Sequence, residues 1–216
     1  MNKKYLFLTL AFIPFVLAAC NNSKVTTTPK SAEDTSGQVA TILNETGTYI
    51  VSASKSSLKW FGERIGGSSH DGTLDIKDGQ IILSGGSLSS AEFVIDMTTI
   101  KESKQSPVIK HLSGPDFFDT ETYPESTLKI VSATQIGDSS TYNIEADLTI
   151  KDSTNPITFP AEVNVRDTTL TADASFTIDR TRWNVIYGSG NFFKELGDKA
   201  IKNEISYTIN IIAELN

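Results

Sequence analysis

The chain has 216 residues, with 26 acidic and 19 basic side chains, and its formal net charge is −7 at pH 7. A chain this acidic repels nucleic acids and anionic lipid surfaces, and no arginine-rich patch offsets the repulsion, so we expect no nucleic-acid partner. Cys20 is the only cysteine, and the chain therefore cannot form an internal disulfide.

The first twenty residues have the parts of a bacterial export signal. Lys3 and Lys4 form a positive start, residues 6–17 form an apolar run, and two alanines precede Cys20. The run is too short to span a ~30 Å hydrocarbon core as a helix, which favours a cleaved signal. Residues 17–20 (LAAC) resemble the lipobox of bacterial lipoproteins, which implies that Cys20 carries acyl chains such as palmitate and tethers the protein to a membrane. The alternative is an ordinary signal peptide with an incidental cysteine.

Composition divides the chain into three parts. Residues 1–19 form the predicted lipoprotein signal. Residues 20–46 form a predicted flexible tether, because they are rich in Ser, Thr, Asn and Lys and show little apolar periodicity. Residues 47–216 form a predicted single domain that is long enough for a sizeable core.

The first half of this domain contains six short segments with weak strand patterns. They cover residues 49–53, 57–65, 73–77, 80–83, 88–97 and 127–135. Turn-forming residues at 77–79 (Lys-Asp-Gly) and 136–138 (Ile-Gly-Asp) separate neighbouring segments, and we predict a turn at each place.

Residues 98–112 interrupt the strand pattern. Val108, Ile109 and Leu112 have helical spacing, and Pro107 suits a first helical turn. We predict a short helix over residues 106–112, followed by a loop over residues 114–119.

Four later segments alternate apolar and polar residues with period two, which is typical of strands with one buried face. They cover residues 142–150, 157–165, 170–178 and 205–213. Pro160 indicates an edge or a bulge, because proline has no N–H to donate. About eight to ten short strands with one apolar face each predict a β-barrel or a β-sandwich.

A second interruption covers residues 179–198. Together with the predicted loop over residues 114–119 it holds six large aromatic side chains. Aromatic-rich loops on a β scaffold indicate either the entrance of a cavity or side chains that close the ends of a barrel, and the residues leave both interpretations open.

The sequence contains no strong catalytic or metal-binding motif. Its two histidines are His70, in a predicted Ser-Ser-His-Asp-Gly turn, and His111. Residues 187–190 (YGSG) lack the spacing of a serine-hydrolase nucleophile elbow, and no metal-ligand spacing such as His-Glu-x-x-His occurs. We therefore expect neither an enzyme nor a metal or cofactor site. Glycoside chemistry stays formally open, because any fold can bring two carboxylates together.

Three groups of motifs together resemble one protein family. Residues 111–119 (HLSGPDFFD) precede Tyr123-Pro124; Ile178-Asp179-Arg180 precedes Trp183-Asn184 and residues 196–198 (LGD); and the domain opens with residues 49–51 (YIV) and 58–61 (LKWF). In combination these motifs resemble the YceI family over residues 47–216. Trp183-Asn184 departs from the family pattern, which has phenylalanine and glycine there.

The resemblance implies an all-β fold, an extended lipocalin-like antiparallel β-barrel of about eight strands with a short helix at one end. It also implies an envelope protein that binds a long apolar amphiphile, such as a polyisoprenoid or a prenyl quinone, in the barrel lumen for storage or transport. The alternative function is a ligand-free envelope lipoprotein that acts through another protein. Family members often form homodimers. Inward-facing alanines leave room for a prenyl chain and equally suit a packed barrel.

The expected ligand contacts fall into two groups. The side chains expected along the lumen and its entrance are apolar: Trp60, Phe93, Phe117, Phe118, Ala172, Ala174, Phe176, Trp183, Tyr187, Phe192 and Phe193. The side chains expected near a polar headgroup are His111, Arg180, Arg182 and Asn184; for them the alternatives are a helix cap at His111 and a local Asp179–Arg180 ion pair. Asn21 after the lipid-bearing cysteine favours the outer membrane over retention in the inner membrane.

Overall fold

The computed structural model describes residues 46–216. The predicted signal, Cys20 and residues 20–45 of the predicted tether lie outside the described residues. The described elements are β1 (Gly47–Val51), β2 (Ser57–Arg64), β3 (Ser69–Ser84), β4 (Ser87–Glu102), α1 (Val108–Ser113), β5 (Glu125–Gln135), β6 (Thr141–Ile150), β7 (Ser153–Arg166), β8 (Thr169–Asp179) and β9 (Ile201–Leu215), with 3-10 turns at Arg180–Trp183 and Gly197–Lys199. Within residues 46–216, no helix has the length and hydropathy of a membrane-spanning segment.

The strands form one antiparallel sheet that closes on itself. β1 and β2 both lie between β3 and β9, and each pairs with a different stretch of those two long strands. The two short strands therefore follow one another along a single strand position of the barrel wall. The other neighbours follow in chain order from β3 to β9. The wall thus has eight strand places, which confirms the predicted barrel and excludes a sandwich.

The predicted turn at residues 77–79 is wrong. β3 runs through this segment, and its pairing with β4 shifts register between Ile76 and Asp78, which marks a bulge. A Cβ atom on Gly79 would lie 2.9 Å from side-chain atoms of both Phe93 and Val51. The glycine therefore serves close packing inside a long strand rather than a chain reversal.

The short helix α1 begins two residues later and ends one residue later than the sequence predicts. Pro107 is its N-cap. β4 continues to Glu102, five residues beyond its predicted end, which shortens the interruption before the helix. Leu112 is buried and belongs to the hydrophobic core, so α1 covers one end of the barrel.

The two ends of the barrel differ. We call one end the floor; it holds the β3–β4, β5–β6 and β7–β8 turns and the start of β1. Its interior is filled by side chains that are at most 2% exposed, namely Tyr49, Leu83, Tyr142, Leu170 and Ala213. We call the other end the rim; it holds the β2–β3 turn, α1 and residues 180–200. The core is therefore solid at the floor.

Candidate functional site

The lumen above the floor contains a deep cavity of about 680 Å³. Seventeen side chains line it, and all of them are apolar. Ala172 and Ala174 of β8 lie in this wall, where their small size leaves space that a larger side chain would fill.

A middle cavity of about 460 Å³ continues toward the rim. It shares Leu58, Leu128 and Ile209, among others, with the deep cavity, so the two are neighbours along the barrel axis. Ser126 is a polar residue in its lining, and the Ser126 hydroxyl donates a hydrogen bond to the carbonyl of Thr149 at 2.6 Å. The middle cavity therefore also presents a largely apolar surface.

An outer chamber of about 940 Å³ lies under α1 and shares Leu74 and Tyr207 with the middle cavity. Its lining mixes aromatic side chains with charged and polar ones, including His70, His111 and Arg180. The polarity of the lumen thus rises from the floor toward the rim, in the direction that suits an amphiphile.

A cleft of about 890 Å³ leads from the outer chamber to the surface. It shares Glu63, Ile201 and Lys202 with the chamber and extends to Ile65 and to residues 190–191. The four spaces therefore lie next to one another in a row from the floor to the surface.

Tyr207 lies at the junction of the middle cavity and the outer chamber. Burial raises the pKa of its phenol, so the hydroxyl stays protonated at neutral pH. Its hydroxyl has no hydrogen-bond partner among the described residues. The side chain thus offers a free donor and acceptor halfway along an otherwise apolar route.

His111 of α1, a predicted headgroup contact, lines the outer chamber. Its ring lies edge-on to Phe117 at 5.0 Å and to Tyr187 at 4.4 Å between centroids. Both aromatic partners also line the chamber. The three rings form a cluster that presents one polar imidazole beside apolar faces.

Arg180 lines the chamber and directs three of its five N–H donors at backbone carbonyls. Its guanidinium is 1% exposed and donates to the carbonyls of Val185, Ile201 and Lys202. Desolvation lowers its pKa, and the carboxylates of Asp179 and Glu204 oppose that change. Arg180 therefore fastens the 184–200 loop to the start of β9. The considered Asp179–Arg180 ion pair is absent from the described contacts, where Asp179 accepts hydrogen bonds from Thr181.

Arg182, Trp183 and Asn184 do not line any of these four spaces. Arg182 lies over the Trp183 ring and donates to the Pro156 carbonyl at 2.8 Å. Trp183 is fully buried and donates to the Leu148 carbonyl, so it packs as core between wall and loop. Asn184 has φ +56°, a conformation that glycine and asparagine adopt most readily, which explains how asparagine replaces the glycine of the family pattern.

The expected lumen residues separate into two sets. Eight of them line the deep, middle or outer space: Trp60, Phe93, Phe117, Phe118, Ala172, Ala174, Phe176 and Tyr187. Phe192 and Phe193 instead lie on the outer surface of the rim, 55% and 42% exposed. They follow no alternating strand pattern, so local periodicity does not indicate which face they occupy.

The predicted turn around His70 is wrong, because His70 lies in β3 and contacts a carboxylate that sequence reasoning missed. Its Nδ1 lies 3.0 Å from Oε1 of Glu102, which is 5% exposed. The backbone N–H groups of Ser106 and Lys104 donate to Oε2 of Glu102. The hydrogen bond from Ser106, followed by that from His70, lowers the pKa of Glu102. The carboxylate thus anchors the segment between β4 and α1.

Within residues 46–216, no three His, Cys, Asp or Glu side chains lie close enough together to bind a metal ion.

Comparison with known structures agrees with this fold. BcnA of Burkholderia cenocepacia superposes with a TM-score of 0.64 at 23% identity, over 76% of this chain and 99% of that chain. A domain from Saccharophagus degradans, described as polyisoprenoid binding and implicated in plant cell wall breakdown, superposes with a TM-score of 0.61 at 16% identity, over 80% and 100%. The YCEI protein of Campylobacter jejuni gives a TM-score of 0.53 at 16% identity, over 66% and 84%.

No curated protein matches the sequence at a significant level. The model of the YceI-like domain, however, matches residues 49–213, nearly the whole barrel. The chain therefore belongs to the YceI-like domain family.

Proposed function

We propose that this protein binds a long apolar amphiphile in its barrel lumen and stores or transports it in the bacterial cell envelope. The observation that carries the proposal is the row of neighbouring cavities, which begins in a wholly apolar space, passes a chamber of mixed polarity and ends in a surface cleft. A polyisoprenoid, a prenyl quinone or a related lipid has this distribution of polarity. The proposed role is binding rather than catalysis.

Burial of the ligand tail would supply most of the affinity. Each methylene that leaves water gains about 0.8 kcal/mol, and the deep cavity offers no polar side chain that would have to be desolvated. Ordering the flexible tail opposes this gain. The ligand would therefore enter tail first, with its apolar end toward the floor.

The headgroup would then lie in the outer chamber. Tyr207 offers a hydroxyl with no partner among the described residues, and His111 offers an imidazole within an aromatic cluster. Arg180 is held in place by three backbone carbonyls, which fixes the position of its charge in the chamber wall. The polyisoprenoid-binding description of the Saccharophagus neighbour supports an isoprenoid tail.

The first experiment asks whether the protein carries a ligand. The chain from residue 20 onward is purified with Cys20→Ser, which removes the thiol that would carry lipid, and is extracted with organic solvent. Mass spectrometry should find an amphiphile in near-stoichiometric amount. An empty extract would contradict the proposal if added ligand is also not bound.

The second experiment uses the two tryptophans as matched probes, since Trp60 lines the outer chamber whereas Trp183 lies outside the row of cavities. A prenyl quinone titrated into the Trp183→Phe variant should quench the remaining Trp60 emission strongly. The same titration of Trp60→Phe should quench Trp183 less. Unchanged emission in both variants, with an empty extract, would favour the alternative of a ligand-free lipoprotein that acts through another protein.

We further propose that Cys20 anchors the protein in the envelope, and in the outer membrane in particular. The lipobox pattern at residues 17–20 and Asn21 support this location. Cells fed labelled palmitate should incorporate label into the parent chain and not into Cys20→Ser. Fractionation should then place the labelled protein with outer-membrane markers; label in the variant, or release of the parent chain as a free protein, would contradict the anchor.

A further inference from the structure

The rim carries most of the exposed large apolar side chains of the described residues. Nine such side chains are exposed in residues 46–216, and five of them lie at the rim: Phe61, Ile65, Tyr187, Phe192 and Phe193. The other four lie toward the floor. Four rim residues, Ile65, Tyr187, Phe192 and Phe193, lie on turns and loops rather than on a flat strand face; we call them the rim patch.

Hydrogen bonds hold the two segments of the rim patch together. The N–H of Ile65 donates to the Ala200 carbonyl at 2.9 Å, and the N–H of Gly66 donates to the Asp198 carbonyl at 3.1 Å. The rings of Tyr187 and Phe193 lie 6.3 Å apart. The β2–β3 turn and the 184–200 loop therefore form one surface.

The rim patch borders the opening of the lumen. Ile65 lines the surface cleft together with residues 190 and 191, which immediately precede Phe192 and Phe193. Tyr187 lines the outer chamber behind the cleft. A molecule that leaves the lumen by this route passes directly beside exposed aromatic rings.

The charge around the rim patch differs from that of the rest of the barrel. Residues 46–216 carry 15 basic and 23 acidic side chains, a net charge of −8. Residues 61–68 and 184–204 carry four of each sign, so the whole net charge lies elsewhere. An acidic protein thus presents a neutral, aromatic-rich surface at the opening of its lumen, which an anionic surface would neither attract nor strongly repel.

We propose that the rim patch docks on the interface of a zwitterionic phospholipid bilayer and places the opening of the lumen against the membrane. Aromatic rings favour the boundary between acyl chains and headgroups, and nearby lysines can extend their ammonium groups to the headgroups. The cargo part of this inference rests on the proposed function: an amphiphile could pass between bilayer and lumen without crossing water.

The distance between the proposed anchor and the rim permits this arrangement. The described barrel begins at the floor, so the anchor joins the end opposite to the rim patch. β3 and β4 have 16 residues each, which corresponds to about 50 Å along a strand. The 25 residues between Cys20 and Thr46 can span up to about 85 Å, so the rim can reach the bilayer that holds the anchor.

The test measures binding to phosphatidylcholine vesicles by co-sedimentation, with the chain from residue 20 carrying Cys20→Ser so that no acyl anchor contributes. The chain should bind, and Phe192→Ser combined with Phe193→Ser should weaken binding at least tenfold. The matched control is Val131→Ser combined with Ile136→Ser, two side chains that are 62% and 51% exposed on the floor side. This control should bind like the parent chain.

Three outcomes would overturn the inference: no vesicle binding by the parent chain, equal binding by parent and rim variant, or equal weakening by rim and floor variants. Light scattering adds a fourth: a dimer that the rim variant dissociates would assign the patch to a second copy of the chain.

Solvent extraction of the same preparations separates the two proposals. A retained amphiphile without vesicle binding would refute docking alone, and vesicle binding by a protein that neither retains nor takes up an amphiphile would refute the carrier function alone.

Discussion

The rings of Phe159 and Phe176 stack with centroids 4.4 Å apart and planes inclined by 24°, just beyond the place where the ladder between β7 and β8 ends at Ala161 and Ala174. Pro160 lies between ladder and stack and has no N–H with which to extend the ladder. The stack therefore holds the two strands together where main-chain pairing stops. Phe159 lines the deep cavity and Phe176 the middle one, so the stack also shapes the passage between them.

Replacing Phe176 by alanine should lower the free energy of unfolding by about 3 kcal/mol, because it removes the stack and enlarges a cavity that is already only partly filled. Urea denaturation measures the change. Phe61→Ala is the control, since the Phe61 ring lies on an adjacent part of the wall and is 40% exposed; its loss should be below about 1 kcal/mol. Equal losses of unfolding free energy in the two variants would show that the stack adds no stability beyond that of an exposed wall residue.

Filling the deep cavity should block ligand uptake. Ala172→Phe or Ala174→Phe would place a ring in the apolar space, at a cost in stability of about 1–3 kcal/mol, and should reduce the amount of bound amphiphile severalfold. Ser175→Phe is the matched control, because Ser175 is exposed on the same strand. The prediction fails if both alanine variants fold and still retain the parent amount of ligand.

The buried carboxylate of Glu102 should make stability depend on pH. Its pKa in the folded protein is lowered from the usual value of 4.5, so the stabilisation is fully present above about pH 4.5 and is lost as pH falls through the folded-state pKa. Glu102→Gln should therefore be less stable than the parent at pH 7, and the difference should shrink in acid. Unfolding curves at several pH values measure this.

Glu92→Gln provides the comparison for that experiment, because Glu92 is an exposed carboxylate on the same strand. It should leave the unfolding free energy nearly unchanged at each pH. If the difference in unfolding free energy between Glu102→Gln and the parent stayed constant down to pH 3, the ionised carboxylate would not be the cause of the effect.

Gly72 should be irreplaceable, whereas Gly62 should not. A Cβ atom on Gly72 would lie 1.8 Å from the Lys101 carbonyl oxygen and 2.9 Å from the Trp60 ring. Gly72→Ala should therefore cost about 3 kcal/mol, or roughly 6–12 °C in Tm for a domain of this size. Gly62 of β2 lies opposite His70 of β3, and no atom lies within 4 Å of a Cβ added to Gly62. Gly62→Ala should leave Tm unchanged or slightly raised; similar losses in both variants would contradict this steric explanation.

The fold was predictable mainly where one strand face is buried against an apolar lumen. In β8 the inward side chains Ala172, Ala174 and Phe176 alternate with outward polar ones, and this pattern predicted both the strand and its cavity-lining face. The turn predicted at residues 77–79 failed because an Asp-Gly pair favours bulges as well as reversals. Only the packing of Gly79 against Phe93 distinguishes them.

The polar part of the site was less predictable for a different physical reason. The contact between His70 and Glu102 depends on the register of β3 with β4, which places Gly72 opposite Glu102 across 30 residues of chain. Local propensity contains no information on such a register. The sequence shows the charge of Arg180, but its hydrogen bonds to three backbone carbonyls depend on the fold of residues 185–202.

The solid floor has a kinetic consequence. Tyr49, Leu83 and Leu170 close that end of the barrel. A bound ligand must therefore leave through the rim before another ligand can enter by the same route. Replacement of one ligand by another should then be dissociative: its rate should approach a plateau set by departure of the first molecule, however much competitor is added.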